Sequence, residues 1–432
     1  MAHQPPRQTP ALTIGRRTAG LRATQPFRPL PPPTGQPPYR LNLETVLGAE
    51  RVAAITAAGR LALHIVGDTG GVKAPEPQQI VAMHMEDDFA SADAAGRPAF
   101  FFHLGDVVYY YGEASEYYGQ FYEPYSHYPV PIIAIPGNHD GDIQDPSVPS
   151  LAAFVENFCA PTPQHSSEAG DTARETMTQP NVYFTLEAPF LTVIGLYTNV
   201  PEHGRLDDTQ IAWFHSELAA APTDRALIVA MHHPIHSLDT HHGSSDYMGQ
   251  ILDAAIRETG RTPDAVFAAH VHNYQRFTRS TGGRDIPYIV AGGGGYWNLH
   301  YMTKDYGYPI PLPLAVPGTD VTLESYMDNR HGYMRLEVTP RSLTGDYYTV
   351  PRPQEPWGNP AVRLDSFTLD LRNHHLSSPT DAPPAPVPAP STQGSTDASL
   401  TSDPSTPPVT PTGTTPEPSA KRPKGSRRKK SS

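Results

Sequence analysis

Five short apolar runs in this 432-residue sequence each end in residues that can bind a metal or move a proton. Gly67-Asp68-Thr69-Gly70 follows the run 61–66, and Gly105-Asp106-Val107-Val108-Tyr109 follows 99–104. Gly137-Asn138-His139-Asp140 follows 130–136. His232-His233-Pro234 follows 226–231, and His270-Val271-His272 follows 265–269. Carboxylate, imidazole and amide oxygen together suit hard or borderline cations such as iron, zinc or manganese. A carboxylate has two oxygens and can bridge a pair of ions. Two ions about 3.5 to 4 Å apart hold a phosphoryl group, generate hydroxide and stabilise a leaving oxygen. Cys159 is the single cysteine, so no intrachain disulfide forms. A donor set without thiolate also argues against a closed structural zinc site.

Each motif alone has an ordinary explanation. Gly-Asp after a strand is commonly a turn, Gly-Asn-His-Asp is a turn that caps itself, and an isolated His-x-His is more often structural than metal-bound. It is the five together, in order and each at the end of an apolar run, that point to a metal site. Two positions stay open within the motifs. Tyr109 begins the run Tyr109-Tyr110-Tyr111, any of which can face inward, and His233 stands beside His232.

The elements that must carry these residues are strand-length. Runs at 61–66, 99–104, 130–135, 190–196, 226–231, 265–269 and 288–291 are apolar on both faces, as in strands covered on both sides within a layered α/β fold. Leu206-Asp207-Asp208 opens a helix with acids at its positive end, and Ile211, Phe214 and Leu218 give it one buried stripe. Residues 251–258 read as another helix. In such folds ligands sit outside the carboxyl ends of the strands, so the motifs are delivered to one edge. Gly292 to Gly295 lacks the spacing of a dinucleotide loop and reads as a tight turn beside that edge.

The 50 prolines are unevenly placed and are densest at the two ends. Residues 1–40 form a Pro-rich segment and 376–432 a Pro/Ser/Thr-rich tail, both too poor in large apolar residues to offset their ordering entropy and so expected to be disordered. Residues 41–375 are expected to form one domain. The net charge of −12 hides a split: seven Lys and Arg lie in the last twelve residues, and without them 25 bases face 44 acids. An acidic body does not suggest a nucleic-acid-binding domain. The basic tail is suited to weak contact with an anionic surface or nucleic acid, or simply to solubility. No window has the apolar length of a membrane span, and residues 1–30 carry no apolar signal core, so a cytoplasmic protein is expected.

The five motifs, spanning Asp68 to His272, resemble those of the calcineurin-like metallophosphoesterases. The general pattern opens with Asp-x-His, whereas this sequence has Asp68-Thr69-Gly70 and gains Tyr109 three residues after Asp106. That paired loss and gain resembles the purple acid phosphatases. The resemblance implies a four-layer α/β/β/α sandwich of two mixed β-sheets flanked by helices. It implies two metal ions: Asp68, Tyr109 and His272 on the first, Asp106 bridging, and Asn138, His232 and His270 on the second. Ferric iron is implied at the Tyr109 site, and ferrous iron, zinc or manganese at the other. His139 would reach the substrate or leaving group with Asp140 orienting it, and His241 and His242 would touch the substrate, with His236 a further candidate. The fifth motif begins with Ala269 where the family usually has Gly. The activity implied is hydrolysis of a small-molecule phosphate monoester by a metal-bound hydroxide. A phosphodiesterase on the same scaffold and a non-catalytic binding protein are the alternatives.

Overall fold

The computed structural model describes residues 26–91, 93–304 and 307–377. Residues 1–25 of the Pro-rich segment, and the tail from residue 378 with its basic end, lie outside the described residues.

The strands, in chain order, are β1 (Arg40–Asn42), β2 (Leu61–Val66), β3 (Phe101–His103), β4 (Ile132–Ala134), β5 (Phe184–Ala188), β6 (Leu191–Gly195), β7 (Ala226–Ala230) and β8 (Ala265–Ala268). They continue as β9 (Tyr274–Thr281), β10 (Arg284–Ala291), β11 (Leu314–Ala315), β12 (Val321–Met327), β13 (Gly332–Val338), β14 (Ser342–Thr349), β15 (Val362–Asp370) and β16 (Leu376–Ser377). The α-helices are α1 (Leu43–Leu47), α2 (Ala49–Ala58), α3 (Glu76–Ser91), α4 (Asn138–Gly141), α5 (Ala152–Phe158), α6 (Asp208–Ala220) and α7 (Asp246–Thr259).

Two mixed sheets result. One has the order β1-β5-β6-β7-β8-β10-β9-β12-β11, the other β16-β15-β14-β13-β2-β3-β4. Within the first, β6, β7, β8 and β10 run parallel; within the second, β2, β3 and β4 do. Every one of these parallel strands except β10 is buried along its whole length. Alternation explains why both faces must be apolar. In β7, Ala226, Ile228 and Ala230 pack in a core shared with Leu63, Ile65, Phe102 and Ile133 of the other sheet. Leu227 and Val229 face outward onto a cluster holding Phe214 and Leu218 of α6 and Leu252 of α7. On the other sheet, Tyr333 Oη donates to the His84 carbonyl of α3 at 3.1 Å. The expected sandwich of two mixed sheets flanked by helices is therefore the fold.

Local signals place α6 well. Asp207 caps it by accepting from the Gln210 amide, but the buried stripe is Gln210, Trp213, Phe214, Glu217 and Leu218, with Ile211 at its margin. Glu217 is inside because it holds the Arg40 guanidinium and accepts from Thr185. The helix expected at 251–258 begins earlier, at Asp246, where the Ser245 side chain accepts from the Met248 amide.

The N-terminal boundary expected at residue 40 needs correction. Residues 26–39 lie along the body. The Arg28 amide donates to Asn199 Oδ1, Gly35 N donates to the Pro180 carbonyl, and Trp213 Nε1 donates to the Pro38 carbonyl at 2.7 Å. The segment is held by these hydrogen bonds together with Leu30 and Tyr39, which pack partly buried against the core, so few apolar residues sufficed and its Pro-rich composition gave little sign of it. Among the described residues no helix is long and apolar enough to cross a membrane.

Two contacts lock the sheets together. Tyr274 of β9 stacks on Tyr347 of β14, with centroids 3.8 Å apart. Arg276 of β9 makes a forked ion pair to Asp365 of β15 at 2.6 and 3.0 Å, and Tyr274 Oη donates to the same carboxylate. Breaking one side of a buried pair leaves an uncompensated charge. Asp365→Ala is expected to lower the unfolding free energy by roughly 3–5 kcal/mol in urea titrations, and pairing it with Arg276→Met to recover much of that loss. A single variant within about 1 kcal/mol of the parent would mean the pair is solvated.

Candidate metal centre

The motif loops are stitched to one another before any ligand is considered. Asp68 N donates to the Gly105 carbonyl at 3.0 Å, Thr69 N to the Asp106 carbonyl, and Gly67 N to Ala291 at the end of β10. The glycine run after β10 closes the same edge: Gly294 N donates to the Gly67 carbonyl and Tyr296 N to that of Asp68. Gly105, at φ +98°, backs onto two other motifs; a Cβ there would lie 2.6 Å from Gly137 N and 2.7 Å from His232 Nδ1. Asp68, Asp106 and His270 adopt φ of 55°, 54° and 65°. Such left-handed backbone in side-chain-bearing residues costs on the order of 1–3 kcal/mol each and persists where surrounding structure imposes it. Ala269 has no such φ, so its methyl group is accommodated.

The seven expected metal donors come from both sheets. Asp68, Asp106, Tyr109 and Asn138 follow β2, β3 and β4; His232, His270 and His272 follow β7 and β8. All seven are buried and form two adjoining groups. In one, Asp68 Oδ1 lies 3.2 Å from Tyr109 Oη and 3.6 Å from His272 Nε2, with Tyr109 Oη 3.3 Å from the same nitrogen. In the other, Asn138 Oδ1 lies 3.1 Å from His232 Nε2 and 2.9 Å from His270 Nδ1. His232 Nε2 joins them, 3.4 Å from Asp106 Oδ2 and 3.8 Å from Asp68 Oδ1. The open choices resolve: Tyr109 is inward, whereas Tyr110 and Tyr111 are half-buried. His233 turns away to Thr198 Oγ1 at 2.7 Å.

Proton placement shows what these atoms are prepared for. His232 Nδ1–H donates to the Leu104 carbonyl, and His272 Nδ1–H to the Asn298 carbonyl, both at 2.9 Å. Each ring then turns its Nε2 inward, the atom that binds a metal once the ring is neutral. Burial holds His270 and His272 well below the usual imidazole pKa and so neutral. Burial would lower His232 too, but the Asp106 carboxylate outweighs it and raises the ring to about 9. Burial pushes Asp68 up, while Asp106, despite burial, is held below the usual carboxylate range by His232. The Tyr109 phenol is raised by burial and by the carboxylates of Asp68 and Asp106. Asp68 Oδ2 is buried without a hydrogen-bond partner. An orphaned carboxylate oxygen and lone pairs facing an amide oxygen form a surface of acceptors, which is the chemistry that fits cations.

The remaining expected residues are placed differently. His139 N donates to Asp106 Oδ1 at 2.8 Å, and its Nδ1–H donates to the Tyr110 carbonyl at 2.8 Å. Asp140 therefore does not orient that ring. Its carboxylate instead accepts from the amides of Gly137, Val107 and Val108, tying the second and third motifs together. An acceptor three residues into a helical turn is drawn to the free amides before it, and the sequence does not distinguish that role from pairing with its neighbour. His242 packs 4.0 Å from the His270 ring, and His241 stands beside it at 4.6 Å. His236 packs against Tyr288 and Phe277, away from the donors. Sequence reasoning missed three neighbours. Glu202 accepts from His242 Nδ1 at 2.8 Å and lies 3.7 Å from His270 Nε2. His300 stacks on His272 at 4.1 Å, and Tyr296 packs 4.2 Å from Tyr109. Glu202 and His300 are single residues in loops with no run before them, but Tyr296 follows the glycine turn, which was a usable signal.

The calcineurin-like phosphoesterase family matches residues 63–274. Purple acid phosphatase 23 of Arabidopsis thaliana is 29% identical over 188 residues, which are 41% of this chain and 36% of that one. Human tartrate-resistant acid phosphatase type 5 is 30% identical over 120 residues, 24% of this chain and 35% of its own. The match thus spans about a third of the length of these curated relatives. A purple acid phosphatase from yellow lupin (Lupinus luteus) seeds shares the fold at a TM-score of 0.50 and 17% identity, over 72% of this chain and 54% of that one.

The gain of Tyr109 and the absence of histidine at position 70 have one steric cause. A Cβ at Gly70 would lie 2.7 Å from Tyr109 Cδ2 and 2.5 Å from Gln120 Oε1, and Gln120 Oε1 accepts the Tyr109 amide. A side chain at 70 and the inward tyrosine compete for one space. Gly70→Ala is expected to cost about 1–3 kcal/mol in urea unfolding. The cost should shrink in a Tyr109→Ala background; equal costs in both backgrounds would show that the two positions do not compete.

Proposed function

We propose that this chain, of the calcineurin-like phosphoesterase family over its residues 63–274, hydrolyses phosphate monoesters at a dinuclear metal centre of the purple acid phosphatase type. The observation that carries the reading is the convergence of seven buried donors into two adjoining groups joined through His232, Asp68 and Asp106. Asp68, Tyr109 and His272 would hold one ion, Asn138, His232 and His270 the other, and Asp106 both. A phenolate donor favours ferric iron at the first position, with iron, zinc or manganese in the divalent state at the second. Such a pair supplies charge for the phosphoryl oxygens, an activated water and stabilisation of the leaving oxygen.

The chain's own residues supply orientation and protons. The Leu104 and Asn298 carbonyls fix the ring faces of His232 and His272. Hydrogen-bonded at Nδ1 by the Tyr110 carbonyl, His139 has Nε2 left to pass a proton to the leaving oxygen. His242, held at Nδ1 by Glu202, would bind a phosphoryl oxygen. The buried edge limits water around the reacting group, which strengthens each of these contacts.

Asp106→Asn and His232→Ala are each expected to abolish turnover of 4-nitrophenyl phosphate by the metal-loaded protein. Wild-type turnover in either variant overturns the centre. Faster turnover of bis-(4-nitrophenyl) phosphate than of the monoester overturns the monoester assignment. Iron-loaded protein is expected to show a visible tyrosinate-to-iron band that Tyr109→Phe removes; a band that survives the substitution places the phenolate elsewhere.

A further inference from the structure

Three strand-end loops meet at the mouth of the centre in a feature that the metal donors do not use. Lys73 stands exposed on the loop after β2 and Trp297 on that after β10, with the half-buried Tyr110 on the loop after β3. The Lys73 ammonium lies 5.1 Å from the Trp297 ring centroid and 5.6 Å from that of Tyr110. Only two lysines occur in residues 26–377, and the body is acidic. Among the described residues Lys73 makes no ion pair with a carboxylate. A cation held by aromatic faces is positioned but not neutralised, so its charge remains available to an incoming anion.

The feature is coupled to the reacting end of the site. The Tyr110 carbonyl holds His139 Nδ1, and the Tyr110 hydroxyl accepts from Tyr296 Oη at 3.2 Å. Tyr296 in turn packs 4.2 Å from Tyr109 and 4.5 Å from His272. Trp297 keeps 41% of its surface exposed, a flat apolar face next to a free positive charge.

We propose that Lys73, Tyr110 and Trp297 form a leaving-group subsite that selects phosphate esters whose leaving group combines a flat ring with a second anionic group. With the phosphoryl group at the buried donors, the ring lies on Trp297 and the second anion meets Lys73. The proposal rests on the phosphoesterase reading above, and its test separates the two. Turnover is measured for phenyl phosphate and 4-carboxyphenyl phosphate, and binding, by calorimetry on the metal-loaded protein, for benzylphosphonate and 4-carboxybenzylphosphonate. Lys73→Met keeps the stem and removes the charge. It is expected to lower kcat/KM for the carboxylated ester about tenfold while leaving phenyl phosphate within about twofold. Trp297→Leu is expected to lower kcat/KM for both esters. Equal effects of Lys73→Met on both esters, or none on either, overturn the subsite. Protein that turns over neither ester yet binds the carboxylated phosphonate more tightly, through Lys73, keeps the subsite and overturns the hydrolytic reading. Protein that neither turns over nor binds any of the four overturns both.

Discussion

Everything in this molecule is arranged around two carboxylates that share one histidine away from water. Asp68 and Asp106 are fully buried, and His232 Nε2 lies within 4 Å of both. Burying a carboxylate without compensation is unfavourable, and burying two beside each other more so. The chain compensates locally with donors: Tyr109 Oη donates to Asp68, and the His139 amide donates to Asp106. It leaves Asp68 Oδ2 unanswered, and the Nε2 atoms of two oriented imidazoles turn inward with it. A buried carboxylate oxygen left without a donor in this way sets a demand that cations would meet.

Holding that cluster requires backbone in unusual places. The two aspartates and His270 sit in left-handed conformation, and the loops that carry them exchange hydrogen bonds across motifs. Asp140 shows how a motif residue can serve this scaffold rather than the chemistry. Its carboxylate gathers three amides from two loops, while the neighbouring His139 is oriented by a backbone carbonyl of the Tyr110 peptide. Gly70 serves by absence, because the space its side chain would fill belongs to Tyr109. The tyrosine and the missing histidine are one packing decision, not two independent changes.

Outside the donors, the site is built from loops whose members carry no pattern. Glu202 reaches His242 and His270 from the loop after β6, and His300 stacks on His272 from beyond β10. The lysine and aromatic rim is assembled from three further loop positions. Such residues are fixed by where loops end up, and nothing in their local spacing announces it. The same holds for residues 26–39, which lie along the body through amide and carbonyl partners contributed by residues far along the chain.

What was legible in the sequence was therefore the part set by short-range rules. Period and apolarity marked strands buried on both faces, and the polar residues at their carboxyl ends named the donors, because strand geometry fixes where a chain leaves a sheet. Asp68, Asp106, Asn138, His270 and His272 stood among those residues, while the choice of His232 over His233 and of Tyr109 within its tyrosine run came from the family resemblance. The sequence alone did not say that the donors leave two different sheets, four from the loops after β2, β3 and β4 and three from those after β7 and β8. Strand pairing joins β2 to β13 and β8 to β10, partners that local spacing does not encode. Only the packing of the two sheets face to face, through the shared core and the Arg276–Asp365 and Tyr274–Tyr347 contacts, brings one set of carboxyl ends against the other. The donor list belonged to the sequence; the centre, as two groups of atoms within reach of one another, belonged to tertiary structure.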